Sequence, residues 1–479
     1  MHDNFPPAGQ DRYAASSRPV GQDRYAAPSR PVGSAGPGRG PGRRPFPGAV
    51  PFAGTGPDLE RAARRSSRLV GIDLARFVAV VGMMAAHLMP PSGYPGHVAW
   101  VSRAVDGNAS TLFAVLGGVS VVLASRSALA RGEVAAARWA TATRGVLVVL
   151  LGATLALGPA NVVVVLVYFG VTLVCAVPFL RVRPGWLLGW AASLAVVGPV
   201  VNVAVRASLD VESEGGGLSW AELADPVVPL RAVVLTGTYP VVTWLVYLLV
   251  GMALAKVLLA AREAGTDRRL LARVLAGGAA LLAASLVLSP VVYEVAGRAA
   301  ALEAYPTLTG AQVDLLAAES GWGAPLDPGW WAFFLQAPHT GAPLDVLRGV
   351  GVALVVISAM LLLAGSLPGW ALRVVEPVRA AGAAPLTVYT LHVLGVGVTG
   401  IAIEALVQAG GFTEVPWWYL GPWILAVHVT GALAVGVVLA VLGTRGPLET
   451  VVSTASRRTG AWASGLGRRA VRPPGGPTW

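Results

Sequence analysis

From Leu69 onward the chain is built of apolar stretches roughly 18 to 25 residues long, separated by short segments that carry arginine. That length at 1.5 Å rise per residue crosses about 30 Å of hydrocarbon. Ten such stretches are expected, at about 69–89, 108–125, 140–158, 160–180, 184–205, 234–261, 272–296, 346–367, 383–407 and 417–443. An eleventh, re-entrant or interfacial, is expected within 297–345, where Trp330 to Leu335 is apolar. Only helices and closed barrels satisfy the backbone in lipid, and runs this long without period-2 alternation read as helices. The expected class is therefore an all-α polytopic membrane protein of ten to eleven spans. With 54% hydrophobic and 13% charged residues, a soluble enzyme is excluded.

Three regions follow from composition. Residues 1–66 are rich in Pro, Gly, Ser and Arg and read as a disordered cytoplasmic tail; 67–450 read as the membrane domain; 451–479 read as a basic cytoplasmic tail. The first tail repeats Gln10–Ala15 as Gln22–Ala27, too short an array for a solenoid. It lacks the apolar core of a cleavable signal peptide. With the N-terminus placed in the cytoplasm, nearly all Lys and Arg fall on that side, leaving Arg103, Arg206, Arg231, Arg298 and Arg348 outside. This asymmetry predicts an even number of spans, both termini cytoplasmic and a cytoplasmic-membrane location. It also assigns the +11 net charge to the membrane face, so the bilayer is the expected partner and nucleic acid is not. A homo-oligomer is compatible with such a bundle.

The chemistry-bearing candidates are the polar groups at bilayer depth, where an ionisable side chain costs at least about 2.5 kcal/mol on insertion scales. His87 ends the first apolar stretch, His97 follows it, and Asp106 and Asn108 lead into the second. An imidazole beside an orienting carboxylate can take a proton from a hydroxyl or amine and return it, which suits acyl transfer. His392, with Thr387 and Tyr389 on the same stretch, reads as a substrate pocket or an interhelical hydrogen bond; His428 reads as structural, and His339 belongs to an outer loop. Asp73 and Arg76, three apart, read as an ion pair or as a seat for an anionic donor. The single cysteine, Cys175, excludes an intramolecular disulfide or a cysteine metal cluster, and no metal is expected. P-loop and HExxH motifs are absent.

Several segments resemble a known family. Arg68–Arg76, Gly82-Met83 and Leu112–Ser120 look like the opening of the heparan-alpha-glucosaminide N-acetyltransferase-like membrane proteins, grouped with the DUF1624 and DUF418 transmembrane acyltransferases. Leu235–Pro240, Thr243–Tyr247, Gly251, Pro338–Gly341, Leu386–His392 and Arg445–Glu449 agree, so the resemblance runs from about 68 to 450. It implies acetyl-CoA as donor and a glycan or envelope molecule as acceptor. The family's catalytic histidine lies in a His-x-x-Trp segment, matched by His97-Val98-Ala99-Trp100. Its first helix ends in asparagine, where this chain has His87, the pattern of the related acyltransferase-3 proteins. Both imidazoles stand as candidate catalytic groups, with Asp106 or Asn108 to orient them and Arg76 for the donor's phosphates. The competing classes are a multi-pass permease and a noncatalytic membrane protein; acetyl-CoA consumption separates them from the enzyme.

Overall fold

The computed structural model describes residues 57–90, 98–158, 162–211, 214, 218–411, 416 and 418–470. His97, the tandem repeat and the rest of 1–56 lie outside the described residues. The described residues are helical, with no strand and one isolated bridge, Glu214 to Gly237.

In chain order the helices are α1 (Pro57–Leu88), α2 (Ala99–Val105), α3 (Asn108–Ala130), α4 (Val134–Leu155), α5 (Leu166–Cys175), α6 (Pro184–Leu209), α7 (Val227–Arg231), α8 (Val241–Glu263), α9 (Asp267–Val292), α10 (Arg298–Ala304), α11 (Gly310–Ala318), α12 (Pro343–Ser366), α13 (Gly369–Val374), α14 (Glu376–Gly382), α15 (Pro385–Gln408), α16 (Pro422–Leu442) and α17 (Pro447–Ala470). Nine segments among the described residues are long and apolar enough to cross a membrane. Nine of the ten expected stretches match them.

The exception is 160–180. Only the ten residues of α5 are α-helical there, and a 3-10 turn, Val177–Arg181, completes the segment. Pro178 sits at the start of that turn and has no N–H to continue the α-helical ladder. Region 297–345 supplies no eleventh span; it folds into α10, α11 and a 3-10 turn at Trp330–Phe334. At the chain's ends, α1 starts at Pro57, and 447–470 form the amphipathic helix α17, which lies on α4 through Trp139 to Trp462 and Thr143 to Thr459 contacts.

Burial separates an inner group of helices from an outer one. The apolar windows of α1, α2–α3, α8 and α12 are 50 to 61% buried, whereas those of α9 and α16 are 17% buried. The outer helices present Val and Leu outward, Val427 and Val441 of α16 among them, as a lipid solvent requires. The inner group meets at Ala75, Ala79, Ala114, Val115, Leu248, Met252, Ala353 and Ile357. Small residues set its spacing. A methyl at Gly118 would run into the Leu248 carbonyl, and one at Gly251 into the Val115 carbonyl, so α3 and α8 touch backbone to backbone.

Candidate functional site

Helix α1 carries polar groups at both ends, and the two ends differ in chemistry. Arg76 donates to Asp73 Oδ1 at 2.6 Å and to Ser120 Oγ at 2.8 Å. Arg379 of α14 reaches Asp73 Oδ2 at 3.4 Å and pairs with Glu376. Eleven residues further along, roughly 16 Å by helix rise, stands His87. Arg76 and His87 therefore do not share a site; they occupy opposite ends of one helix.

At the His87 end the backbone is pulled together by several loops. The N–H of Gly421 donates to the Leu88 carbonyl at 2.7 Å and brings the start of α16 to the end of α1. The α2–α3 corner turns through Gly107, whose φ of +71° suits glycine. A Cβ there would also come within 2.9 Å of the Arg348 guanidinium. Asn108 opens α3 and donates through Nδ2 to the Arg103 and Ala104 carbonyls, at 3.1 and 3.2 Å, so it caps α2. Its Oδ1 is buried without a hydrogen-bond partner.

A small cavity of about 20 Å³, room for about one water-sized group, lies beside this corner, lined among others by Thr111, Tyr239, Thr243, Tyr247, His339 and Asp345. His339 adopts φ +61°, a left-handed conformation uncommon for any residue but glycine. Its loop is held by the Gly321 N–H on the Pro338 carbonyl at 2.7 Å and the Gly323 N–H on the His339 carbonyl at 2.9 Å. The His339 ring meets that of Tyr239 edge to face at 5.4 Å. Burial, then the charge of Arg348 and then the neighbouring His87 push His339 down to about 4, so it is a neutral ring at pH 7. Burial and the Asp106 carboxylate push Tyr239 up to about 12.

One ion pair ties these parts together. Asp345 Oδ1 accepts from Arg348 at 2.9 Å, and Asp345 Oδ2 accepts the Gly341 N–H at 3.0 Å. Arg348 also donates to the Asp106 carbonyl at 3.3 Å. Both side chains are buried, which makes the pair a scaffold that neither partner can leave cheaply.

The imidazoles of three helices meet at the end of α1, His87 lying within electrostatic reach of His339. His87 Nδ1 lies 3.0 Å from His392 Nε2, with the rings 5° from parallel. His392 Nδ1 lies 2.9 Å from His428 Nδ1, with the rings nearly perpendicular. Tyr389, one turn before His392 on α15, is buried and its hydroxyl has no hydrogen-bond partner. Of the residues singled out in the sequence, His87 and His392 are joined, Asp106 and Asn108 lie at the adjacent corner, Tyr389 lies in the helix interior and Arg76 is remote. The grouping of His428 with the other two rings, the inward turn of His339 and the Asp345–Arg348 pair were not legible in the sequence. One signal did point to the rings: a polar side chain within an apolar span must find a partner, and 392 and 428 each place an imidazole there.

Residues 68–286 match the family model described as heparan-alpha-glucosaminide N-acetyltransferase, catalytic. Over that stretch the chain is heparan-alpha-glucosaminide N-acetyltransferase-like. The match runs from α1 into α9, and so includes Arg76, His87, Asp106 and Asn108, while His339, Tyr389, His392 and His428 lie beyond it. It fits a membrane acetyltransferase in general, in keeping with the multi-pass architecture. No curated protein and no solved structure matches the chain.

Proposed function

We propose that the protein transfers an acetyl group from acetyl-CoA to a hydroxyl or amine of a glycan or cell-envelope acceptor, within the cytoplasmic membrane. The observation that carries this reading is the placement of His87, inside the acetyltransferase-like segment, within electrostatic reach of His339 and with one ring nitrogen held by another imidazole. His392 engages Nδ1 of His87, which leaves Nε2 as the nitrogen that takes the acceptor's proton. The acceptor atom then bonds to the acetyl carbon, the carbon–sulfur bond breaks, and the thiolate is protonated. Asp106 and Asn108, at the adjacent corner, belong to the framework that positions the ring and the acceptor. His97 stands in the same segment by sequence and is the second candidate for the base.

The arginine-rich end of α1 suits the donor. Arg144 of α4 lies within electrostatic reach of Arg76, and Arg379 joins Asp73 there, so cations outnumber carboxylates near the Asp73 pair. Phosphate groups are well matched to such guanidinium clusters. By the arginine asymmetry this end faces the cytoplasm, where acetyl-CoA is found, and the histidine end faces the acceptor.

The test uses the purified full chain in lipid nanodiscs with radiolabelled acetyl-CoA and glucosamine as a probe acceptor. Label moves to the amino sugar in the wild type, and His87→Ala lowers kcat by about 10²- to 10⁴-fold. The same loss in His97→Ala, with His87→Ala active, moves the base to His97. Glucosamine counterflow in vesicles without any loss of the acetyl thioester would replace the enzyme by a permease.

A further inference from the structure

At the end of the bundle that the arginine asymmetry assigns to the cytoplasm, the last turns of α3 and α8 and the 3-10 turn Val177–Arg181 surround an open cavity. Its volume is about 430 Å³, against about 20 Å³ beside the α2–α3 corner. Small-molecule sites run from roughly 300 to 1,000 Å³. Val122, Leu129 and Leu259 give the cavity an apolar wall, and Arg126, Arg181 and Lys256 bring three cations to it. Glu263 is the carboxylate on its lining, so cations are in excess there. Lys256 precedes Glu263 by two helical turns, roughly 10 Å of rise, and the positive charge therefore extends inward from the membrane surface.

These cations are not used up by the fold. Among the described residues the Arg181 side chain has no hydrogen-bond or ion-pair partner. Lys256 donates to the carbonyls of Leu180 and Val182, on either side of Arg181, and an ammonium carries a third N–H. Arg126 reaches Glu263 at 3.2 Å, in an exposed pair that holds little in water. The retention of arginine in cytoplasmic segments accounts for cations at this level, but not for a cavity lined by them. The cavity is also separate from the Asp73–Arg76 end of α1. Arg76 binds Ser120 of α3, and Val122, Arg126 and Leu129 fall roughly 180 to 240° around that helix from Ser120, on its opposite face. Next to Lys256, Val257 is exposed, as on a surface that meets lipid.

We propose that this cavity binds an anionic phospholipid of the cytoplasmic leaflet. The phosphate sits among Arg126, Arg181 and the remaining N–H of Lys256, and the acyl chains run along Val122, Leu129 and Leu259 into the bilayer. Basic pockets between spans at this face are matched to such headgroups, because each guanidinium offers the phosphate paired donors as well as charge. A zwitterionic lipid carries its own cation and competes poorly for the same three groups. A soluble anion has no use for the apolar wall, which is why the lipid fits better than free phosphate. The bound lipid joins α3 and α8 to the turn that carries Arg181. None of this depends on the acetyl-transfer reading, and an absence of acetyl transfer leaves it untouched.

The test titrates the purified full chain in detergent with phosphatidylglycerol or phosphatidylcholine and counts bound lipid by native mass spectrometry. The wild type should hold one phosphatidylglycerol more tightly than any phosphatidylcholine. Arg126→Gln and Arg181→Gln should each weaken that binding about 5-fold, and together roughly 25-fold, with phosphatidylcholine unchanged. Glu263→Gln, which removes the carboxylate from the lining, should strengthen it. Arg181→Gln breaks no contact of the fold and should melt like the wild type, so it decides the matter even where the double variant fails to fold. Equal affinity for the two lipids, or wild-type affinity for phosphatidylglycerol in Arg181→Gln, overturns the proposal. Displacement of the lipid by free CoA would give the cavity to the acetyl donor, and displacement by inorganic phosphate would make it a site for soluble anions; either result overturns the lipid assignment. Retention of the lipid against both supports it.

Discussion

Asp345 grips Arg348 at 2.9 Å with one carboxylate oxygen while the other takes the Gly341 N–H, so a single buried side chain fixes both a guanidinium and the loop that carries His339. Removing one partner of a buried pair leaves the other uncompensated, at a cost of about 3 to 5 kcal/mol. Asp345→Ala should therefore lower thermal stability strongly in nanodiscs. Replacing both residues by apolar ones of similar size should cost less than either single change.

The membrane architecture was legible in the sequence because lipid imposes length and apolarity on every span, and nine of ten expected stretches follow that rule. The tenth is shortened at both ends, by the non-helical 162–165 before Leu166 and by the 3-10 turn at Pro178, which the run of Val, Leu and Phe around them conceals in any average over a window. The site was legible as a set of residue types and not as a constellation. His87 announced itself as an imidazole at the end of an apolar run, but its partner is 305 residues away on α15. His339 is the loop residue its sequence suggests, but its φ of +61° and the turn of its ring toward Tyr239 leave no trace in composition.

The pH dependence of stability should carry the mark of His339. Its folded-state value is held near 4 against about 6.5 unfolded, so the unfolded chain binds a proton first. The stabilisation is full above pH 6.5 and is lost as pH falls toward 4, up to about 3 kcal/mol in total. His339→Asn, which tolerates the left-handed backbone, should flatten the fall of melting temperature between pH 6.5 and 4. An unchanged profile in the variant would assign the acid sensitivity to other groups.

Close helix contact makes a sharp comparison possible between glycines. Gly251→Ala drives a methyl into the Val115 carbonyl and should separate α8 from α3, with a marked drop in melting temperature. Gly277→Ala on α9 meets nothing within 4 Å and should be neutral or stabilising by up to about 1 kcal/mol.

Glu449 of α17 caps a distant helix. Its carboxylate accepts from the backbone N–H groups of Leu386 and Thr387 at 2.7 and 3.1 Å and from the Thr387 hydroxyl at 2.6 Å. A carboxylate at a helix N-terminus also complements the helix dipole. Glu449→Ala should cost about 2 kcal/mol, read as a lower midpoint in thermal unfolding, with Glu449→Gln in between.

The interrupted fourth segment has a consequence for the chain's sole lysine. Where the 3-10 turn ends, the carbonyls of Leu180 and Val182 face Lys256, whose ammonium donates to them at 3.0 and 2.5 Å. A compact tetrahedral cation can reach two closely spaced oxygens at once; a flat, wider guanidinium presents its donors in a plane and does not. In a protein whose other fixed cations are all arginines, position 256 is thus where arginine is the wrong choice, and the break in the span is what makes it so.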